Sequence, residues 1–266
     1  MAEPLGRAET VTLLKRHGVR LRKSLGQHLL GEPNVVRRIV EIAGVRCGSR
    51  VLEIGAGAGT LTRALVDAGA EVIAYEVDEA LRPVLAETVG DRADVRFADA
   101  ASVDFAEELP GSGWSLVANL PYNVGTPIVL DVLRHVPAVE RIVVMLQKEA
   151  VQRFAAGPGS RDYGVPSVVV ALHGTIDVDF HVPPHLFVPR PKVESSVAVI
   201  DRKDADPLAE CAVEVAGVAF GQRRKMVRSS LRNLLATGVL EQAGIDPTVR
   251  AEELSPDDYL RLAALT

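Results

Sequence analysis

The chain has 266 residues and a formal net charge of −5, and 47% of its residues are hydrophobic while 24% are charged. These values are typical of an ordinary soluble globular protein with ample sequence for a core. No apolar stretch could cross a bilayer, and the first residues do not resemble a secretory signal. Cys47 and Cys211 are too few for a disulfide framework or a zinc site. Together these features predict a cytoplasmic protein without a metal or a membrane partner.

The N-terminal segment is basic although the whole chain is acidic. Residues 1–50 carry ten Lys or Arg, among them Arg22 and Lys23, against four acidic residues, which gives a net charge of +6. Such an asymmetry indicates a polyanion partner, although a run of charges is also what an ordinary solvated surface shows.

Short β-branched runs then alternate with helical patterns that end at glycine, as in 60–69 and 78–90. Alternation of this kind predicts right-handed βαβ units and a mostly parallel, doubly wound α/β sheet. The predicted strands are 50–55, 71–77, 94–98, 115–120 and 141–147.

Two closing strands, 165–182 and 195–202, follow with no room for a helix between them, which predicts an antiparallel addition at the sheet edge. Beyond residues 204–207 the pattern is helical only. We therefore expect an α/β domain with a Rossmann-like sheet and a basic N-terminal extension at 1–203, and a small all-helical domain at 204–266.

The stretch VLEIGAGAGTLT (51–62) reads as a strand, a glycine turn and a helix start, in which Gly55 and Gly57 let the backbone lie against a ligand. The dinucleotide pattern needs its third glycine where this chain has Thr60. Glu76, about 20 residues further on, can accept both hydroxyls of a ribose, a feature shared by NAD and S-adenosylmethionine sites.

Two more carboxylates bear on the cofactor. Glu53 is an acid on a strand that should be apolar, and it would be favourable beside a sulfonium and an amino group rather than beside a pyrophosphate. Asp99, after the third strand, could accept a hydrogen bond from an adenine amine or could simply cap a turn. Together with the glycine turn, these residues predict S-adenosylmethionine as the cofactor.

The fourth strand runs into VANLPYNVGTP (117–127), which could be an ordinary turn. Because it falls at the same sheet edge as the glycine turn, we interpret it instead as a pocket for an adenine. The Asn119 side-chain oxygen and the Leu120 carbonyl would each accept one N–H of the amino group and aim its lone pair at the methyl donor. Pro121 would fix the turn, and Tyr122 would offer a face on which the base stacks.

The chain resembles the ribosomal RNA adenine N6,N6-dimethyltransferases of the KsgA type. The resemblance covers nearly the whole sequence, and its last two motifs are more specific than the others, which antibiotic-resistance rRNA methylases also approximate. The motifs are LGQHLL (25–30), VLEIGAGAGTLT (51–62), NLPYNVGTPI (119–128), VPPHLFVPRPKVESSV (182–197) and FGQRRKMVRSSLRNLL (220–235).

This resemblance implies dimethylation of two adjacent adenosines in a hairpin loop near the 3′ end of 16S rRNA, within the small subunit or its precursor. The domain at 1–203 would then be a methyltransferase domain and the helical domain at 204–266 an RNA-binding domain, and we expect a monomer. It also implies that Phe187 stacks on the adenine opposite Tyr122, unless it is a core residue. The sequence departs from the usual pattern at His28 and Leu29, where Asn-Phe is common. The cofactor pocket implied by the resemblance comprises His28, Leu30, Gly55, Gly57, Glu76, Asp99, Ala100 and Asn119.

The C-terminal segment 215–240 carries five basic residues and no acid. Arg224, Arg228 and Arg232 recur every four residues, which predicts a basic stripe on one helix that contacts the RNA backbone. The predicted RNA-binding residues are Arg22, Lys23, Arg223, Arg224, Lys225, Arg228 and Arg232.

Two other functions remain open at this point. One is a 23S rRNA adenine methylase that confers macrolide resistance, although the motif at 220–235 argues against it. The other is a non-catalytic RNA-binding assembly factor of the same fold, against which the intact Asn119, Tyr122 and Glu76 argue.

Overall fold

The computed structural model describes residues 4–204 and 206–266. Glu3, which belongs to the predicted N-terminal extension, and Ala205, which lies in the predicted domain boundary, are outside the described residues. The strands are β1 Leu29–Leu30, β2 Arg50–Ile54, β3 Glu71–Glu76, β4 Asp94–Phe97, β5 Trp114–Asn119, β6 Val139–Gln147, β7 Gly174–Val182, β8 Phe187–Val188 and β9 Ser195–Arg202.

The α-helices alternate with these strands in the first half of the chain and dominate its end. They are α1 Arg7–Arg16, α2 Pro33–Ile42, α3 Thr60–Asp67, α4 Arg82–Thr88, α5 Phe105–Glu108, α6 Gly125–His135, α7 Lys148–Phe154, α8 Val165–His173, α9 Ala209–Gly221, α10 Val227–Ser230, α11 Val239–Gln242 and α12 Pro256–Ala263.

Seven strands form one sheet in the order β4-β3-β2-β5-β6-β9-β7. The first five are parallel, and β9 runs antiparallel to β6. The central strands are apolar because helices cover both faces of a parallel sheet, and in β2 Val51 and Leu52 are fully buried. The predicted mostly parallel sheet with an antiparallel edge is therefore confirmed.

The order of the strands creates a switch point. From β2 the chain proceeds through β3 to β4 in one direction, and it then returns to build β5 and β6 on the other side of β2. In such sheets, ligands bind outside the carboxyl ends of the strands at the point where the order reverses. The carboxyl edge of β2 and β5 is thus the expected place for a site.

The prediction of one strand over 165–182 is wrong in its first half, where Val165–His173 forms the helix α8. A short run of apolar residues cannot be assigned to a strand or a buried helix from its pattern alone. Here Pro166 lies in the first helical turn, and the Gly164 N–H donates to the Ser167 hydroxyl at 3.1 Å, so the helix start is well satisfied. Only Gly174–Val182 is a strand.

The fold divides into two compact units. One comprises the residues up to Val151 together with Asp177–Asp201, and the other comprises Gln152–Ile176 and Arg202–Thr266. The second unit is helical, and α8 packs in it against α9 and α12. The predicted first domain, 1–203, thus includes an internal segment that belongs to the second unit, because α8 is a buried helix rather than a strand of the sheet.

Candidate active site

Four of the predicted site residues lie at the carboxyl edge of neighbouring parallel strands. Gly55 follows β2, Glu76 ends β3, Asp99 follows β4 and Asn119 ends β5. They line one cleft in the first compact unit, and most of the other predicted site residues join them there. The predicted residues that line this cleft are His28, Gly55, Gly57, Glu76, Asp99, Ala100, Asn119, Leu120 and Tyr122.

The glycine turn after β2 approaches its surroundings too closely for a side chain. Gly57 has a positive φ of 57°, and a Cβ atom there would lie 2.6 Å from Leu29 Cδ2. The Gly57 N–H donates to Glu76 Oε2 at 2.8 Å, which ties the turn to the end of the next strand. Thr60 then opens α3, so the turn enters the helix without the third glycine of a dinucleotide site.

Glu76 is buried, and both of its oxygens receive backbone N–H groups. Oε2 accepts from Gly57 at 2.8 Å, and Oε1 accepts from Asp78 at 2.9 Å. Burial raises the pKa of Glu76, while these backbone hydrogen bonds act in the opposite direction. Because a carboxylate offers about four lone-pair sites, two acceptor positions remain for hydroxyl groups of a ligand.

Glu53 bears on the expectation of a carboxylate beside a sulfonium. Its side chain is 1% exposed, and burial raises its pKa to about 8, with Thr62 lowering and Glu76 raising it further. Oε2 has no hydrogen-bond partner among the residues that the structure describes. Glu53 lines a small cavity with Gly55 and Asn119, and its raised pKa favours the neutral acid there.

Asp99 caps a turn, and its role toward an adenine amine stays a prediction. Its Oδ1 accepts from the Ala101 N–H at 3.0 Å and so caps the short 3-10 turn at Ala100–Ser102. Asp99 is exposed, and it also lines the cleft next to Ala100. The cap fixes the backbone around the carboxylate, which leaves it well placed to meet a ligand.

The Asn119 side chain is fixed in one orientation. Its Nδ2 donates to the main-chain carbonyl of His28 at 3.0 Å, so the opposite side of the amide, Oδ1, is the acceptor available to a ligand. Asn119 is half-buried at the end of β5, whereas Leu120 is buried and its N–H donates to the Met145 carbonyl at 3.2 Å. Both residues are therefore held by the sheet rather than by a free loop.

Tyr122 presents its ring in the same cleft. The ring stacks on the imidazole of His28 with 5.2 Å between centroids and 29° between planes. Its hydroxyl and the Ser195 hydroxyl share a hydrogen bond of 2.6 Å, and burial raises the pKa of Tyr122, which keeps the phenol neutral. The hydroxyl thus anchors the ring to β9, a role that the sequence did not reveal.

Phe187 does not offer a second stacking face. It is fully buried in β8, which pairs with β1 so that Phe187 lies opposite Leu30. Both residues belong to the core cluster of the first unit. The alternative of a core residue is therefore the one observed for Phe187, whose ring is packed in the core and does not line the cleft. Leu30 itself lines the small cavity with Glu53 rather than the main cleft.

Two functional positions were missed in the sequence. The buried Gln27 donates from Nε2 to Asp78 Oδ2 at 2.9 Å and accepts the Arg22 N–H at 2.6 Å. Asp78 in turn donates its N–H to Glu76. This chain of hydrogen bonds connects the N-terminal segment to Glu76, and the signal that could have revealed it is a glutamine in LGQHLL and an aspartate two residues after Glu76.

The basic N-terminal segment is partly neutralised by acids of the same unit. Arg16 and His17 contact Glu87, and Arg38 pairs with Asp179 at 2.7 Å. The Arg22 guanidinium, although largely exposed, lies 3.7 Å from the buried Asp78. Lys23 is exposed. The net charge of this segment therefore overstates the positive surface it presents.

The predicted basic helix in the second unit is wrong. α9 ends at Gly221 and α10 spans only Val227–Ser230, so Arg224, Arg228 and Arg232 do not share one helix. Met226 pairs with Arg250 in an isolated antiparallel β-bridge. The N–H groups of Val227 and Arg228 donate to the carbonyls of Val249 and Pro247 instead of to the preceding turn.

The five basic side chains also differ in their surroundings. Arg223 is half-buried, and it donates to Glu252 at 2.7 Å and to the Arg161 carbonyl at 2.8 Å. Arg223 is therefore part of the internal structure of its unit. The exposed members are Arg224, Lys225, Arg228 and Arg232.

Within residues 4–204 and 206–266, no group of three or more His, Cys, Asp or Glu side chains is arranged to hold a metal ion. Across the same part of the chain, no helix is both long and apolar enough to span a membrane.

Residues 18–266 match the model of a protein family described as "Ribosomal RNA adenine dimethylase". The chain is 45% identical to the ribosomal RNA small subunit methyltransferase A of Paramagnetospirillum magneticum, over 94% of this chain and 92% of that protein. It is 42% identical to the protein of the same name in Nocardia farcinica, over 98% of this chain and 94% of that protein.

Solved structures share the fold. A dimethyladenosine transferase from Plasmodium falciparum superposes with a TM-score of 0.75 at 22% identity, over 88% of this chain and 96% of that chain. The 23S rRNA methyltransferase ErmE superposes with a TM-score of 0.68 at 24% identity, over 89% of this chain and 98% of that chain.

These similarities confirm the predicted Rossmann-like methyltransferase fold, the predicted enzyme class and S-adenosylmethionine as the cofactor. The glycine turn, the buried Glu76 and the oriented Asn119, which lie at one edge of the sheet, are consistent with this fold and this cofactor. The chain belongs to the ribosomal RNA adenine dimethylase family.

Proposed function

We propose that this protein transfers methyl groups from S-adenosylmethionine to N6 of two adjacent adenosines in a hairpin loop near the 3′ end of 16S rRNA. The observation that carries this proposal is the Asn119 amide, whose Nδ2 is engaged by His28 so that Oδ1 is directed to accept. The names of the relatives, small subunit methyltransferase A, support the small subunit or its precursor as the substrate.

The residues of the cleft fit the cofactor. Gly57 has no room for a side chain, Glu76 keeps acceptor positions for two ribose hydroxyls, and Asp99 can accept from an adenine amine. Further lining comes from His28, Gly55 and Ala100. When bound there, S-adenosylmethionine supplies a methyl group on a positively charged sulfur.

Asn119 and Leu120 orient the acceptor. The lone pair of an adenine amino group is delocalised into the ring, which makes the nitrogen a poor nucleophile. If Asn119 Oδ1 and the Leu120 carbonyl each accept one N–H, they hold the nitrogen with its lone pair directed at the methyl group, and both hydrogen bonds strengthen as positive charge develops on nitrogen. No strong base is required, since the methylated nitrogen loses a proton readily to water.

Tyr122 holds the base against these acceptors. Stacking of a base on an aromatic ring contributes about 1–3 kcal/mol. The hydrogen bond between the Tyr122 and Ser195 hydroxyls fixes the ring plane before the base arrives. Such a site requires the adenosine to leave its stack, which costs least in a hairpin loop.

The exposed cations would hold the RNA without reading its sequence. Lys23 in the first unit, and Arg224, Lys225, Arg228 and Arg232 in the second, are exposed and can contact phosphates. Arg22 has its guanidinium near Asp78, and Arg223 forms an ion pair with Glu252, so these two arginines contribute less to RNA binding. We further propose that the protein acts as a monomer in the cytoplasm, where its rRNA substrate is assembled.

The test is to incubate the protein with labelled S-adenosylmethionine and under-methylated small subunits and to map the label. We expect N6,N6-dimethyladenosine at two adjacent positions of the 3′-terminal hairpin of 16S rRNA, and far slower transfer with Asn119→Ala under the same conditions. Large subunits serve as the second substrate in parallel. Label on 23S rRNA, or no transfer by the native protein to either subunit, would contradict the proposal.

A further inference from the structure

The second compact unit contains a cleft that the proposed function does not use. It is lined by residues of α10, of the turns that follow α10, of α11 and of the segment 247–248, and its volume is about 380 Å³. Sites for small organic groups have volumes of about 300–1,000 Å³. The cleft is therefore large enough to hold one flat organic group such as a nucleobase.

The floor of the cleft is apolar. Val227, Leu231 and Leu240 line it, and all three are buried. The main chain ties two of its sides together, because the Arg228 N–H donates to the Pro247 carbonyl at 3.2 Å and both residues line the cleft. The cleft is thus present before a ligand arrives, which avoids most of the entropic cost of ordering it on binding.

The charges around this floor have both signs. Arg228 and Arg232 are exposed cations, and Glu241 is an exposed acid. Asp246 adds a further negative charge beside Thr248, whose N–H and hydroxyl donate to Asp246 Oδ1 at 2.8 and 2.7 Å. A surface that binds only the RNA backbone is expected to be positive throughout. An apolar floor with acceptors and cations around it suits a base and its phosphates instead.

We propose that this cleft binds one unstacked nucleotide of the RNA substrate, with the base on the apolar floor and the flanking phosphates on Arg228 and Arg232. This inference rests on the proposed function, since it takes RNA as the substrate. Guanidinium groups pair with phosphate oxygens and also stack on the faces of bases. The same two arginines can therefore hold both parts of one nucleotide.

Glu241 gives the cleft a preference among bases. An ionised carboxylate only accepts hydrogen bonds, so it favours a base that carries an exocyclic amino group. In uracil the single ring N–H lies between two carbonyl oxygens, which a carboxylate repels. The expected occupant is therefore an adenosine, cytidine or guanosine rather than a uridine.

A bound base changes what the second unit contributes to RNA recognition. Phosphate contacts from Arg224 or Lys225 act alike on every sequence and weaken as salt is added. A base on an apolar floor adds affinity that salt does not screen, and it is available only where the RNA offers an unstacked nucleotide, as in a loop or a bulge. The second unit thereby selects a single-stranded element of the rRNA.

The first test measures the binding of fluorescent RNA octanucleotides to protein that carries Tyr122→Ala, so that no base stacks in the cleft of the first unit. The probes are all-uridine RNA, the same RNA with one central adenosine or cytidine, and a chain of abasic residues. The adenosine and cytidine probes should bind about two- to tenfold more tightly than the all-uridine probe, the equilibrium equivalent of one net hydrogen bond. The abasic chain should bind most weakly.

Matched variants locate this preference in the cleft. Ala236→Trp fills the cleft and retains both arginines, so the adenosine probe should bind no better than the all-uridine probe, while the slope of log affinity against log salt is unchanged. Ala236→Ser, the control, keeps the cleft open and should bind like its parent. Glu241→Ala should remove the preference for adenosine over uridine.

The second test observes the floor directly by NMR in the native protein. The methyl signals of Leu231 and Leu240, identified as those absent from Leu231→Met and Leu240→Met, should move when the adenosine probe is added, because an aromatic base shifts the protons beneath it. The abasic chain should leave them in place. This measurement decides the question if a substituted protein unfolds.

Equal affinities for the adenosine, uridine and abasic probes would overturn the proposal, as would a full adenosine preference in Ala236→Trp. Leucine signals that move equally with the abasic chain would show phosphate binding alone, and signals that respond to no probe would exclude RNA in favour of a protein segment. Neither test depends on methyl transfer. If the native protein methylates no small subunit while the leucine signals respond to adenosine, the proposed function has failed and the cleft stands. Normal methylation with unresponsive signals contradicts this inference alone.

Discussion

The carboxyl edge of the sheet and the basic C-terminal segment 215–240 show two ways in which a sequence pattern can be translated into structure. At the sheet edge, Gly55, Glu76, Asp99 and Asn119 converge on one cleft as predicted. In the basic segment, the predicted helix is replaced by turns around the short α10. The two regions were inferred from equally regular spacing, so regularity alone does not explain the difference.

The difference lies in what fixes the backbone. Apolar β-branched runs form strands because their burial drives them into a sheet, and parallel pairing then brings the strand ends together. A four-residue spacing of arginines slightly destabilises a helix, because like charges then face each other on its surface. In the basic segment, hydrogen bonds from Val227 and Arg228 to Val249 and Pro247 override the local pattern.

The largest expected effect concerns Asn119. Asn119→Ala removes one preorganised acceptor at the developing charge, so we expect the single-turnover rate of methyl transfer to fall by about 10²- to 10³-fold. RNA affinity should be retained, as the strand that carries the residue remains. Asn34→Ala, on the surface of the same unit, is the control. A near-native rate for Asn119→Ala would show that convergence at the sheet edge is structural and not catalytic.

Glu76 tests whether the cleft holds the cofactor. Glu76→Gln keeps the size of the side chain but loses charge-assisted hydrogen bonds, each worth about 1.5–3 kcal/mol. We expect the affinity for S-adenosylmethionine, measured by calorimetry, to fall roughly 10- to 100-fold. Glu79→Gln, an exposed residue paired with Arg82, should bind normally. Unchanged affinity in a folded Glu76→Gln protein would remove the assignment.

Glu53, which lines the small cavity, makes the free energy of unfolding depend on pH, whereas the basic segment offers no such test. The folded pKa of about 8 lies above the unfolded value, so the native state binds more protons between those two values and the free energy of unfolding falls as pH rises. Glu53→Gln removes this contribution. The stability difference, variant minus native, should therefore grow by about 1.4 kcal/mol per pH unit between roughly pH 5 and 8.

The measurement for Glu53 is denaturant unfolding across that pH range. Glu71→Gln, an exposed acid at the start of β3, should show no comparable trend. A difference that stays constant with pH would mean that Glu53 is ionised in the native protein, and it would restore the idea of an anionic carboxylate beside the sulfonium.

The smallest effects concern the basic segment itself. Arg228→Ala and Arg232→Ala remove exposed cations, and each should reduce the slope of log affinity for RNA against log salt by about one unit. Arg223→Ala should leave the slope unchanged, since that guanidinium is bonded to Glu252. Equal slopes for all three variants and the native protein would make the segment an ordinary solvated surface.

Much of the site could be read from the sequence because its residues follow buried strands at fixed topological positions. The parts that could not be read depend on long-range partners. Phe187 is buried in the core where β8 pairs with β1, and Tyr122 is anchored by Ser195, 73 positions away. The pKa of Glu53 likewise follows from burial, which the sequence pattern shows only as an acid within an apolar run.

The sequence by itself determined the alternation of strands and helices, the glycine turn, the strand-end residues and the family. These depend on local sterics, on apolar periodicity and on motifs, all of which are written in consecutive residues. Only the tertiary structure decided that Val165–His173 is a helix, that the Asn119 amide points its oxygen into the cleft and that His28 covers Tyr122. Each of these was settled by contacts between distant segments, because burial and hydrogen-bond partners supplied from elsewhere in the chain outweigh local preference.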